Sequence, residues 1–328
     1  MTLSPDPRKT AAVREDLRAR LHRSLEHLLF EAAAGVVPPA VSRDALGAIV
    51  AAGGGYPSAL VFALHGALLA AAREEQVDRF ADHGRALADL PPALAIASPE
   101  VTVGALCTED PGLAGQGIMA AAFQDDLGLT AILCPPEAEA AATARAALAE
   151  ALAALKACVP AWYSELALLS GQVLLASPSP DAKRGFGGAT TFDAFGAMVL
   201  NPAGVPDPAA ALMGLIHESA HQRLFLHHLD DPVLLNDAEA RHVSPLRREP
   251  RPMEGVFHAA WVSARMALAA REIARTANAP AWAEDLERLG GVSLRNFEDC
   301  IPVIEAEARF TPLGQRLLAD AREAMRAP

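Results

Sequence analysis

The chain has 328 residues, 52% of them hydrophobic, enough to bury a substantial core in one large domain or two ordinary ones. With 28 basic against 40 acidic residues the net charge is -12, which opposes sequence-independent binding to nucleic acid or anionic lipid, so neither is expected as a partner. No run reaches the ~20 uncharged apolar residues of a membrane span, and the opening MTLSPDPRKT lacks the apolar stretch of a secretory signal; the expected location is the cytoplasm.

From Pro7 to about Leu90 the apolar spacing predicts helices, broken by Pro and Gly at VVPPA (36–40) and AAGGGYP (51–57). His22, His27, His65 and His83 sit singly here and read as packed or solvated side chains. Cys107, Cys134, Cys158 and Cys300 are scattered without a CxxC pair, as expected of buried thiols rather than of disulfides or a thiolate metal site. The Ala-rich stretch 135–157 predicts a scaffold helix. GQVLLAS (171–177) and TFDAFGAMVLNP (191–202) read as strands, and KRGFGGAT (183–190) as a connecting loop.

Next comes PDPAAALMGLIHESAHQRLFLHHLDDP. Asp207 suits a helix N-cap, Pro208 the first helical position, and Pro232 stops the chain beyond Leu229. A second long helix is expected to start near Pro252. The expected fold is α+β, mainly helical, with a small sheet packed against an HExxH helix in a zincin-like manner. A helical N-terminal region (1–130) would precede a metal-binding catalytic region (131–328).

On the first helix His217 and His221 lie four apart, ~40° around the axis and ~6 Å along it, so both imidazoles can meet one ion. Glu218, about 100° further round, is better placed beside that ion as a catalytic group than in the same row. The spacing HESAHQRLFLH matches HExxHxxGxxH except that Leu224 replaces the glycine that would swing a third histidine back. His227 therefore points away, His228 lies ~10 Å beyond His221, and both are expected at the surface. A third donor could come from Glu254 or His258, and Arg265 would place a cation ~10 Å from His258.

LIHESAH together with the later run SPLRREPRPMEGVFHAAWVSAR resembles the HEXXH-motif family of peptide β-hydroxylases, over about Phe192 to Arg265. The resemblance implies an Fe(II)- and 2-oxoglutarate-dependent dioxygenase acting on a ribosomally made precursor peptide. It implies His217, His221 and His258 as iron ligands, with Glu218 in or beside the shell. Arg247 and Arg251 match basic positions of the family run, and with Arg265 they are candidates for holding the distal carboxylate of 2-oxoglutarate. Leu246 stands where many relatives are expected to carry Trp. Two other readings remain open at this point. One is an intracellular zinc peptidase, with Glu218 as general base and the strand near 191–200 pairing with substrate. The other is a non-catalytic peptide-binding protein.

Overall fold

A computed structural model describes residues 3–51, 53, 55–106, 114–126, 133–180, 182 and 185–326. Its helices are α1 (Pro7–Glu26), α2 (Arg43–Ala51), α3 (Ala59–Arg73), α4 (Val77–Ala88), α5 (Pro92–Ala95), α6 (Ala114–Asp126), α7 (Ala138–Cys158), α8 (Pro160–Leu169), α9 (Pro208–His227), α10 (Met253–Ala274), α11 (Ala283–Glu307) and α12 (Pro312–Arg326). Its strands are β1 (Thr102–Ala105), β2 (Leu133–Cys134), β3 (Gln172–Leu175), β4 (Ser177–Pro178), β5 (Gly188–Ala189) and β6 (Ala197–Leu200). The fold is α+β and mainly helical, with a small mixed sheet. Among the described residues no helix is long and apolar enough to cross a membrane.

The chain forms two compact units that interleave along the sequence: Met1–Lys9, Ala142–Leu166 and Ala203–Pro328 make one, Thr10–Ala141 and Ala167–Pro202 the other. The second holds the sheet, in the order β1-β3-β6-β5, with β1, β3 and β6 parallel and β5 antiparallel to β6. Parallel strands are buried on both faces, and β6 reads as an unbroken apolar run accordingly. Phe123, Leu174 and Val199 meet in this unit's core.

Only the second half of the 191–202 stretch is a strand. The Thr191 hydroxyl accepts from Asp193 N at 3.2 Å and caps a 3-10 turn over Phe192–Ala194, and Gly196, at φ 106°, turns the chain into β6. All four β6 residues are buried, and Val199 and Leu200 are paired on both sides. Within KRGFGGAT, Lys183 and Arg184 lie outside the described residues, and Gly188–Ala189 is a short strand rather than loop. Cys107 also lies outside them, while Cys300 is buried and Cys134 and Cys158 are half-buried.

In the first unit α9 starts as its sequence dictates, with Asp207 Oδ1 accepting from Ala210 N at 2.9 Å and Pro208 in the first turn. Leu212, Leu215, Ile216 and Leu224 are fully buried, so α9 is held on several sides at once. α10 begins after Pro252 and packs against α9 and α11. A Cβ at Gly290 of α11 would lie 2.7 Å from the Ala270 Cβ of α10, so this close approach requires glycine.

Candidate metal centre

α9 and α10 bring four imidazoles into a row. His217 Nε2 lies 3.3 Å from His221 Nε2, and His221 Nδ1 lies 3.3 Å from His258 Nδ1. Ring centroids are 5.0 Å apart for His217 and His221, 5.5 Å for His221 and His258, and 5.8 Å for His258 and His228. Two nitrogens bound tetrahedrally to one ion at ~2.0–2.1 Å are themselves ~3.3 Å apart, which is the His217–His221 spacing. His258 meets the other nitrogen of His221. The three rings thus line up rather than surround one point, and a shared ion would require the His258 ring to turn.

Neutral imidazoles are what a metal needs, and the site keeps them neutral. Burial pushes His258 down to about 3, with help from the charges of His228 and Arg251. It holds His221 well below the usual range, reinforced by His217, His258 and Arg251. His217 is drawn to about 4 by burial and then by Arg247, although 42% of its side-chain surface remains open, and that solvent contact moderates the effect. The His258 Nε2 is buried without a hydrogen-bond partner among the described residues. The His217 and His221 nitrogens stand at a spacing that fits a divalent cation as well as an N–H···N hydrogen bond.

These groups border a cavity of about 630 Å³ lined by His217, His221, His258, Glu254, Arg247 and Arg251, among others. Burial and the adjacent Arg247 guanidinium lower the pKa of Arg251 from the ordinary arginine range. Among the described residues no carboxylate pairs with either guanidinium, so an anion entering the cavity would meet two of them. Glu218 is buried, with Oε1 3.9 Å from His217 Nε2.

Two sequence expectations are corrected. Arg265 faces away from this cavity: it is 1% exposed, its guanidinium pairs with Glu165 of α8, its Nη1 donates to Leu3 O at 2.6 Å, and it stacks over Trp162 at 4.6 Å. Glu165 also pairs with the buried Arg223, so Arg265 serves an internal ion cluster and cannot hold a cofactor's carboxylate. His227 and His228 are not surface residues either. His227 is buried edge-on against Trp261, its pKa lowered by burial to about 3, and His228 is half-buried beside Glu254 and His258.

His228 finds its neighbours, Glu254 and His258, on another helix. Its Nε2 lies 4.0 Å from Glu254 Oε1. The available signal was the Glu254/His258 pair, four apart at the start of α10. Comparison with family models and with curated proteins finds no match to this chain.

Proposed function

We propose that the chain is an Fe(II)- and 2-oxoglutarate-dependent oxygenase that hydroxylates a β-carbon of a residue in a ribosomally made peptide, acting in the cytoplasm. The observation that carries this reading is the shared cavity, lined by His217, His221 and His258 and by Arg247 and Arg251, whose guanidiniums pair with no carboxylate among the described residues. In this reading His217 and His221 hold the iron and His258 completes the set. It is zincin-like in that a helix-borne HExxH pair takes a donor from a later helix. When bound, iron with 2-oxoglutarate and O2 supplies the oxidation, leaving succinate, CO2 and a hydroxylated peptide. Arg247 and Arg251 receive the distal carboxylate of 2-oxoglutarate, a guanidinium fork being suited to bidentate pairing. Glu218, whose Oε1 lies 3.9 Å from the same His217 Nε2 that faces His221, sits beside the ion, where its carboxylate accepts from a bound water or substrate.

The reading is tested without knowing the peptide. Anaerobic addition of 2-oxoglutarate to the iron-loaded protein is expected to produce a visible charge-transfer band, and admission of O2 to release succinate slowly. Iron that binds while neither signal appears contradicts it.

A second reading, a zinc peptidase, is favoured by the position of Glu218, whose buried carboxylate beside His217 could accept a proton from water held at the pair. It expects zinc-dependent peptide cleavage that Glu218→Gln abolishes while zinc still binds.

A further inference from the structure

At the far end of the imidazole row a second constellation stands apart from the HExxH pair. His228 Nε2 lies 4.0 Å and His258 Nε2 3.7 Å from the same Glu254 Oε1, and the three donors all lie within 4.8 Å of one another. Both Nε2 atoms are shielded from solvent and have no hydrogen-bond partner among the described residues. Buried nitrogens left this way are unfavourable, and a cation drawing all three donors inward would satisfy them together.

The local folding explains the convergence. α9 ends at His227, and His228, its C-cap at φ -73° and ψ -5°, turns towards the first turns of α10. Glu254 and His258, four apart, stack on one face there. Two imidazoles and one carboxylate suit zinc or non-haem iron(II), whereas calcium and magnesium favour oxygen donors.

We propose that His228, Glu254 and His258 form a second site for a zinc- or iron-type divalent cation, overlapping the HExxH set through His258. A neutral imidazole has one lone pair and one N–H. His258 presents Nδ1 to His221 and Nε2 to Glu254, so its ring serves one set at a time, and the cluster holds one ion rather than two. The overlap rests on the proposed His217–His221–His258 set, but the second site does not.

The test is Co(II) stoichiometry by native mass spectrometry and calorimetry on the full chain. Wild type is expected to bind one ion. H217A/H221A is expected to bind one also, at least 100-fold more weakly once H228A and E254Q are added. Should H217A/H221A fail to fold, H221Q with H217N serves the same comparison. A folded variant lacking the α9 pair that takes up no Co(II), or a wild type that takes up two, overturns the inference. Uptake by H217A/H221A but not by H228A/E254Q would instead sink the HExxH ion and leave this site standing.

Discussion

α9 and α10 carry two polar clusters of opposite character. Arg223 and Arg265 are buried with Glu165 between them, and the backbone carbonyls of Ser4 and Leu3 accept from the two guanidiniums. Closer to the start of α10, His217, His221 and His258 border a cavity, with ring nitrogens facing one another and His258 Nε2 facing Glu254. In the first cluster charge meets charge within the fold. In the second, neutral imidazoles line a cavity, and His217 and His221 stand 3.3 Å apart, a spacing that an N–H···N hydrogen bond or a shared ion can span. The difference teaches that burial within a charge cluster marks architecture, while imidazoles bordering a cavity are open to a ligand, although both clusters contain residues that look equally functional in the sequence.

The most damaging change should be Glu165→Gln, which leaves two guanidiniums buried without their carboxylate. Breaking a buried pair costs about 3–5 kcal/mol, so denaturant unfolding should show a loss of that order, and a loss below about 1 kcal/mol would mean that the cluster is not the anchor described. Removing a ligand should act the other way. His217→Ala or His221→Ala is expected to weaken Fe(II) or Zn(II) binding by about 10- to 100-fold in a metal titration, the residual uptake being at His228, Glu254 and His258, with little effect on the metal-free protein's unfolding midpoint.

Acid separates the clusters next. The His258 ring titrates at about 3 in the metal-free fold against about 6.5 when unfolded, so between these values the unfolded chain binds more protons. Its contribution is present above about pH 6.5 and is lost as pH falls towards 3, reaching about 2 kcal/mol at pH 5. Unfolding followed at pH 7 and pH 5 should therefore show a smaller loss for metal-free His258→Gln than for wild type, and equal losses would contradict the account. The smallest effect expected is from Arg251→Lys, which keeps the charge but not the fork. Metal binding should persist while affinity for 2-oxoglutarate falls about tenfold, and an unchanged affinity would remove Arg251 from the cofactor's site.

What the sequence made legible was local. Asp207 and Pro208 announce the start of α9, Pro252 that of α10, and the four-residue spacing puts His217 and His221 side by side because a helix turn does so unaided. What it concealed was long-range. Nothing near Arg265 signals Glu165, one hundred residues away, so an internal ion partner looked like a cofactor ligand. His228 was judged along a straight α9 axis, whereas its neighbours come from another helix. The interleaving of the two compact units is likewise invisible to local periodicity. The first half of 191–202 has a strand's composition but a Thr cap and a glycine that bend it.

The central claim is that His217 and His221 grip one cation, and anomalous diffraction from crystals of the Fe(II)- or Zn(II)-loaded protein tests it directly. The account predicts a strong anomalous peak at about 2.0–2.2 Å from both Nε2 atoms. Rings turned apart with no anomalous density between them would contradict it.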